Sequence, residues 1–346
     1  ALLKWETTNQ FDIGLDIAFL NNRVNLTVDA YYKKTKDLLL DKLIPMSSGF
    51  SRIQANYGNV TNKGLEISGH FIPVKARNFL WSIDANISFN RNKVGGLDAD
   101  QYSDVAWGIE NMFLVRNGEP IGTLYGYVED VFYDNEAEVR ADPLYRNETD
   151  SKVKSIVGEV KYKNLDDDPV IDNRDRQIIG NTNPDYQYGI TNTLEWKNWT
   201  FSFFLQGTQG NDVLNVNLKK FDMASVDNMP YFIYNNRWTA ENRANAKWPR
   251  ANRTSTRSMR ASDRYIEDGS YLRCKNVSLS YRFRHPMKFV ESINLVASVS
   301  NLFTISGYSW MDPDVNSFGS DPKRRGVDMA SYPSARTFNF GVQIGF

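Results

Sequence analysis

The last ten residues of the sequence, Thr337-Phe338-Asn339-Phe340-Gly341-Val342-Gln343-Ile344-Gly345-Phe346, decide its fold. Large apolar residues alternate with small or polar ones, so a strand here has one apolar and one polar face. An outer-membrane β-barrel closes on such a strand, with lipid against one face and a polar lumen against the other. The sequence therefore predicts a membrane-closing strand whose apolar face consists of Phe338, Phe340, Val342, Ile344 and Phe346.

Composition restricts the class of protein. The 346 residues include 41 basic and 41 acidic ones, and this balance argues against nucleic acid as a partner, because phosphate binding needs a basic excess. No run of about 18 apolar residues predicts a transmembrane helix, but a barrel strand needs only about ten residues. The start of the sequence has no signal peptide, so we expect an exported barrel to begin further upstream.

The same alternation recurs along the chain and predicts an all-β fold. Connections between the predicted strands are alternately short and long, as in bacterial barrels with short periplasmic turns and long extracellular loops. Eleven strands are predicted, at 5–19, 23–39, 63–72, 79–92, 111–116, 121–133, 186–196, 199–205, 277–283, 293–299 and 337–346. The short connections lie near 20–23, 73–78, 117–120, 197–198 and 284–291, and the long ones near 40–62, 93–110, 134–184, 211–268 and 303–334.

An odd number of strands has a consequence for the assembly. Single-chain bacterial barrels have even strand numbers, and two unpaired edges in lipid would cost on the order of tens of kcal/mol. We therefore predict that residues 1–346 are the carboxy-terminal part of one transmembrane antiparallel β-barrel domain. Twice eleven strands is the size of plugged outer-membrane transporters, so the expected partner is the amino-terminal half of a 22-stranded barrel.

Five stretches resemble a known family. The first two resemble TonB-dependent outer-membrane transporters, and the other three resemble the SusC/RagA branch found in Bacteroidetes. The stretches are LKWE at 3–6 followed by FDIGLD at 11–16, NVTNKGLE at 59–66, DRQIIGNTNP at 175–184, YIEDGSYLR at 265–273 and NLFT at 301–304. The resemblance spans essentially the whole chain, and its motifs come in the expected order.

This resemblance implies a function. Such a protein is a multi-pass transporter in the outer membrane of a Gram-negative bacterium, in contact with membrane lipid. It imports a glycan or a peptide, is energised by TonB through a plug outside this sequence, and works with a SusD-like lid lipoprotein. It is not an enzyme and requires no cofactor. Two alternatives remain open: a structural barrel component of a surface assembly, and an outer-membrane hydrolase, for which the sequence offers no catalytic residues.

An acidic stretch is a candidate metal site. Asn164, Asp166, Asp168, Asp172 and Asp175 fall at positions 1, 3, 5, 9 and 12 of a loop, which is the ligand spacing of an EF-hand calcium site. Position 6 is Pro169, however, where the sharp turn normally uses a glycine with positive φ. The alternative is an Asp-rich turn in which the side chains bond nearby backbone amides.

Two predicted loops carry opposite charge. Residues 129–175 contain fourteen acidic and seven basic residues, whereas 237–264 contain eight basic and two acidic ones. The basic loop could attract acidic glycans or peptides. Alternatively, the two loops pair with each other, or the arginines contact lipopolysaccharide.

Aromatic residues crowd the same loops. Sugar rings stack on aromatic faces, and a lid protein could bury them, so these side chains are predicted substrate or lid contacts. The alternative is a small core that holds the loops rigid. The candidates are Trp107, Tyr231, Tyr234, Trp238, Trp248 and Trp310.

Overall fold

A computed structural model describes residues 3–44, 46–50, 52–105, 109–166, 168–222, 228–252 and 260–346. Long strands dominate this part of the chain, joined by short turns at one end and long connections at the other. Within these ranges, no helix is long and apolar enough to cross a membrane.

Twenty strands, β1 to β20, follow one another along the described chain. They are β1 (Thr7–Phe19), β2 (Val24–Lys36), β3 (Leu39–Leu43), β4 (Arg52–Asn56), β5 (Asn59–Ala76), β6 (Phe79–Gly95), β7 (Gln101–Val105), β8 (Ile109–Val115), β9 (Thr123–Tyr127), β10 (Glu129–Phe132), β11 (Val160–Tyr162), β12 (Arg176–Asn181), β13 (Tyr186–Trp196), β14 (Trp199–Gln209), β15 (Asp212–Asn215), β16 (Ile266–Asp268), β17 (Tyr271–Met287), β18 (Val290–Ser306), β19 (Val327–Asp328) and β20 (Thr337–Gly345). Nine of them form one large sheet, in the order β1-β2-β5-β6-β13-β14-β17-β18-β20.

The helices are short and lie in the long connections. They are α1 (Glu136–Ala141), α2 (Asp150–Ile156), α3 (Val216–Asp222) and α4 (Tyr231–Asn236), with 3-10 turns at Met46–Ser48, Asn173–Asp175, Arg243–Asn245, Asp263–Tyr265 and Pro322–Arg324. The side chains of Asn135 and Thr149 cap the first two helices by accepting backbone N–H groups. Such caps stabilise helices that are too short to persist by themselves.

The large sheet is antiparallel throughout, and its register sorts side chains onto two faces. On β20, Phe338, Phe340 and Val342 lie opposite apolar residues of β18, so one face is apolar across the pair. Small polar residues such as Asn339 and Ser298 pair on the other face. This arrangement confirms the predicted all-β, antiparallel barrel architecture, present here as a partial barrel.

The sheet has two open edges within the described chain. The first strand, β1, pairs only with β2, and the last, β20, pairs only with β18. Each open edge presents a row of unpaired backbone N–H and C=O groups, which is a template for pairing with another strand.

Two of the eleven predicted strands do not belong to this sheet, which has nine strands within the described residues. The segment predicted at 111–116 overlaps β8, and the one at 121–133 contains β9 and β10. Strands β8 and β9 join β7 and β12 in a separate four-stranded sheet, and β10 pairs with β11. Every residue of β9 is buried, so both of its faces pack against protein instead of lipid. The turn near 117–120 therefore lies inside a long connection. Removing two strands from the predicted eleven keeps the number odd, so β1 and β20 of the antiparallel sheet still run in the same direction.

Four short turns join the long strands at one end of the sheet. They cover 20–23, 77–78, 197–198 and 288–289. Asn21 and Asn22 adopt positive φ angles of 53° and 60°, which asparagine tolerates better than most residues. The turn near 20–23 is therefore predictable from its asparagines, whereas in the turn 197–198 the positive φ of 54° falls on Lys197.

Four long connections lie at the other end of the sheet. They are the first (37–58), second (96–185), third (210–270) and fourth (307–336) connections. The second connection merges two predicted loops, 93–110 and 134–184, because the strands expected between them are part of it. All helices and small sheets of the described chain lie in these connections.

One glycine allows a ring to lie flat on the polar face of the large sheet. A Cβ at Gly64 would come within 2.1 Å of the Tyr31 ring on the neighbouring strand. The Tyr31 hydroxyl then reaches Asn90 Oδ1 two strands away, at 3.0 Å. Glycine here permits a polar bridge that spans three strands.

Candidate functional site

The long connections share a hydrophobic core. Phe113 and Leu124 of the second connection pack with Leu214 and Tyr265 of the third and with Val327 of the fourth, all buried. Strands from different connections also pair, since β15 of the third connection pairs with β19 of the fourth as well as with β16 of its own connection. The three connections are therefore one packed body over the end of the sheet, which we call the loop body.

A buried arginine fastens the loop body to the sheet. Arg273 of β17 forms an ion pair with Asp312 and bonds Ser334 Oγ at 3.1 Å, and both partners lie in the fourth connection. Nearby, the buried Tyr308 hydroxyl donates to Asp328 Oδ2 at 2.7 Å, and burial raises the pKa of this phenol. These residues are far apart in the sequence, and only the packing of the fourth connection on β17 joins them.

The oppositely charged loops contact each other. Glu129 and Arg264 form a largely buried ion pair, and burial raises the pKa of the Glu129 carboxyl although Arg264 acts against that shift. Arg250 donates to the carbonyl of Ser155 at 2.8 Å, and Arg260 donates to that of Ile171 at 3.1 Å. The alternative that the loops pair with each other therefore accounts for these three arginines. Arg253 and Arg257 lie outside the described residues.

Arginines and tyrosines alternate along one face of the small sheet that contains β9. The Arg176 guanidinium lies 4.8 Å from the Tyr125 ring centre and 5.6 Å from that of Tyr127. Arg116 covers the same Tyr125, and Arg260 covers the same Tyr127. Cation–π contacts thus hold these cations against the body. Burial lowers the pKa of Arg176.

The predicted calcium loop forms a compact turn around an arginine. Arg174 makes ion pairs with Asp166, Asp168 and Asp172, and the two contacts to Asp166 and Asp172 measure 3.2 and 3.0 Å. A hydrogen bond from this side chain holds the pKa of Asp172 below its ordinary value. Among the described residues, no three acidic, histidine or cysteine side chains converge as a metal ion would require.

The remaining oxygens of this turn accept backbone amides. Asp168 Oδ1 accepts from Val170 at 2.8 Å, and the Asp175 carboxylate accepts from Leu165 and Asp172. Asn164 donates its side-chain amide to the carbonyl of Asp168. These are the bonds of the alternative Asp-rich turn, so calcium binding stays an untested prediction that must compete with Arg174 for the same carboxylates.

We expect the substitution Arg174→Gln to loosen the turn and to favour calcium. Without the guanidinium, three carboxylates face one another, so protease cleavage within 164–175 should be several-fold faster in a chelator. Millimolar calcium should slow the cleavage more in the variant than in the unsubstituted protein. Arg146→Gln, an exposed arginine in the same connection, is the control. Equal calcium protection with and without Arg174 would show that the two cations do not compete.

The predicted aromatic contacts divide into exposed and packed side chains. Tyr231 and Tyr234 on α4 are 78% and 52% exposed, and their neighbour Phe232 is also exposed. Trp238 is buried over Gly158, where a Cβ would come within 2.6 Å of its ring, and Trp248 packs against the loop-body core. The contact prediction thus fits the α4 residues, and the small-core alternative fits the two tryptophans.

Trp310 and Trp107 are the two remaining predicted contacts. Trp310 is half-buried in the fourth connection. Trp107 lies outside the described residues.

Two clefts flank β10 on the loop body. The larger, of about 550 Å³, lies between α1 and the segment 161–165. The second, of about 490 Å³, is lined by β10 and Glu138 of the second connection and by Arg243, Ala244, Ala246 and Lys247 of the third. Both are lined by Asp130 and Glu138, so charged groups of the second connection face both clefts.

The histidines do not form a nucleophilic site. His70 Nδ1 lies 2.6 Å from Asp84 Oδ1 on the polar face of the large sheet, and His285 is exposed near the short-turn end. Within the described residues, no serine or cysteine bonds to either ring, and the thiol of Cys274 is buried. A catalytic triad would need such a bond.

The sequence is similar to a family of membrane receptors. Residues 1–302 match the family model described as TonB dependent receptor-like, β-barrel. The TonB-dependent receptor P26 of Formosa agariphila is 33% identical over 99% of this chain and 35% of its own length. The TonB-dependent receptor SusC of Bacteroides thetaiotaomicron is 30% identical over 99% of this chain and 32% of its own length. The chain thus spans about a third of the length of these curated relatives.

The fold is similar to that of solved structures. The structure of the RagAB peptide transporter aligns with 99% of this chain, and the aligned part makes up 35% of the transporter chain. The TM-score is 0.78 and the sequence identity is 19%. A second structure, of the RagAB peptide importer in the "open-open" state, gives a TM-score of 0.76 at 20% identity. At this identity the likeness establishes the fold alone.

Proposed function

Because the chain belongs to the TonB-dependent receptor β-barrel family of the outer membrane, we propose that it forms part of the wall of a nutrient importer. Family membership confirms the predicted resemblance, and the relatives from Formosa and Bacteroides fit the predicted Bacteroidetes group. The proposed cargo is an oligosaccharide or a peptide, and TonB supplies the energy through a plug. The role is transport and not hydrolysis.

One observation carries this proposal: an antiparallel sheet with an apolar face and two open edges supports a packed loop body. Unpaired backbone groups in hydrocarbon cost several kcal/mol each, so β1 and β20 need partners in a membrane. We propose that further strands of the same barrel supply them, so that this chain is one part of the barrel wall. The end with long connections is then extracellular and meets the cargo first.

The proposed function is tested by uptake. Deleting the gene should abolish import of at least one class of labelled nutrient, either oligosaccharides or peptides, and removing TonB should do the same. Uptake that persists without the protein, or that continues unchanged without TonB, would contradict an energised importer. A structural role in a surface assembly would instead predict a loss of assembly with unchanged uptake.

The exposed aromatics of α4 support a contact with a lid lipoprotein. Three rings on one six-residue helix, Tyr231, Phe232 and Tyr234, lie exposed on the loop body, and Arg237 covers the Tyr234 ring at 3.8 Å. Exposed aromatics with a neighbouring arginine are typical of protein contacts that carry much of the binding energy. We therefore propose that α4 is part of the surface that a SusD-like lipoprotein covers.

We expect the double substitution Tyr231→Ala and Tyr234→Ala to weaken lid binding. Loss of two aromatic contacts typically costs about 2–4 kcal/mol at an interface, so co-purification of the lipoprotein should fall at least tenfold. Tyr332→Ala removes an even more exposed ring, from the fourth connection, and is the control. Co-purification that is unchanged in the double variant, or equally reduced in the control, would contradict an α4-specific contact.

A further inference from the structure

The second cleft beside β10 brings together charges of both signs. Its lining includes all four residues of β10 together with Asp134, and Arg243 and Lys247 of the third connection. The side chains of Asp130, Arg243 and Lys247 are exposed and form no ion pair with any described residue. The cleft therefore presents separate anionic and cationic groups to one occupant.

The inner end of the cleft is fixed. Glu129 pairs there with Arg264, and the Arg264 guanidinium lies 5.4 Å from both the Phe132 and Trp248 ring centres. Charged groups that are already paired and packed hold their positions when a ligand enters. Asp134 accepts the Trp238 indole N–H at 3.3 Å, which orients this carboxylate at the other end of the segment.

The wall formed by β10 is an edge strand. Among the described strands it pairs with β11 alone. On its other edge, the backbone N–H of Glu129 donates to Asp263 Oδ1 at 3.0 Å. Beyond Glu129, Val131 is 53% exposed and lines the cleft. An extended chain can add to such an edge through main-chain hydrogen bonds.

We propose that this cleft binds a short zwitterionic peptide in an extended conformation along β10. The ammonium group lies toward Asp134 at one end of the segment, and the carboxylate toward Arg243 and Lys247 at the other, where the Lys247 carbonyl accepts from Arg264 beside Glu129. Both ends then form charge-assisted hydrogen bonds, which are about twice as strong as neutral ones. A neutral oligosaccharide has neither charged end and no amide edge to pair with β10. The proposal rests on the proposed function for its outer-surface position, and it narrows the cargo to peptides.

The test compares three probes on the intact protein purified in detergent. They are the tripeptide Ala-Val-Ala, the same peptide acetylated and amidated at its ends, and a neutral trisaccharide. Calorimetry should show that the free peptide binds at least tenfold more tightly than the capped peptide, and that the trisaccharide does not compete. Equal binding of free and capped peptide, or competition by the trisaccharide, would overturn the proposal.

Variants locate the binding. Arg243→Gln with Lys247→Gln, and separately Asp130→Asn with Asp134→Asn, should each weaken free-peptide binding about tenfold and leave capped-peptide binding unchanged. Lys152→Gln, an exposed lysine on α2 outside the cleft, should change neither. Free-peptide binding that survives both double substitutions would place the peptide elsewhere and contradict the proposal. Because no step needs TonB, a protein that binds peptide but fails in uptake would contradict only the importer function.

Discussion

Replacing Arg273 with methionine is expected to release the fourth connection from the sheet. The Arg273 side chain is only 1% exposed and bonds Asp312, Ser334 and Thr304 Oγ1, the last at 3.0 Å. Methionine fills most of the volume but leaves the Asp312 carboxylate buried without its cation. Breaking a buried pair in this way typically costs about 3–5 kcal/mol.

The expected readout is local. Amide hydrogen exchange across 308–336 should become about a hundredfold or more faster, because each 1.4 kcal/mol is a factor of about ten in the opening equilibrium. Arg282→Met is the matched control on the same strand. The Arg282 side chain is exposed, and it donates a hydrogen bond to Ser292 Oγ at 3.3 Å. The control should change stability by about 0.5 kcal/mol or less. Similar exchange in the two variants would mean that Arg273 does not fasten the connection.

The same anchor should depend on pH in one direction. Burial opposes ionisation of Asp312, but hydrogen bonds from the Ser334 and Asp314 amides and from Arg273 outweigh it and hold its pKa below the ordinary 3.8. A carboxyl with a lowered folded-state pKa stabilises the fold fully above its unfolded pKa, and this contribution is lost as the pH falls through the folded value. Once the intrinsic pH dependence of amide exchange is divided out, the protection of 308–336 should therefore be insensitive to Asp312 ionisation at neutral pH and fall only below about pH 4.

The large sheet was predictable because lipid on one face and a polar lumen on the other impose strict alternation. The two wrongly assigned segments failed for the same physical reason, since 112–115 of β8 and all of β9 are buried on both faces and alternation carries no information there. Length separates the two kinds of strand in the structure but not in the sequence, where the predicted segment 121–133 is as long as a membrane-spanning strand. Strands of seven and five residues are too short for the 9–11 residues that a membrane-spanning strand needs.

The loop body was predictable in its charge and not in its pairs. Counting charges revealed one acidic and one basic segment, but Glu129 and Arg264 meet across 135 positions of sequence. Arg174 lies inside the predicted calcium loop, yet ligand spacing counts only oxygen donors and overlooks a cation supplied by the chain. Arg273 and Asp312 are joined only because β17 and the fourth connection pack together, which no local pattern reveals.

Placing a charge on the apolar face of the last strand should have the other large effect. Phe340 is 84% exposed and lies opposite Ala297 of β18. The preceding residue, Asn339, lies opposite Ser298 on the polar face. In an outer-membrane barrel, Phe340 then contacts lipid near the middle of the strand. An arginine on the lipid face near the bilayer midplane costs about 2–4 kcal/mol, and loss of the phenylalanine adds to that cost.

We expect Phe340→Arg to lower the free energy of unfolding in lipid vesicles by at least about 2 kcal/mol, with less protein in the outer membrane. Asn339→Arg is the matched control, because the same charge one residue away points to the polar lumen and should change stability by under about 1 kcal/mol. Urea unfolding of both variants measures the difference. If the two arginines cost the same, lipid does not cover the apolar face of β20. If Asn339→Arg costs more, the two faces of the strand are reversed, and with them the assignment of lumen and lipid across the sheet.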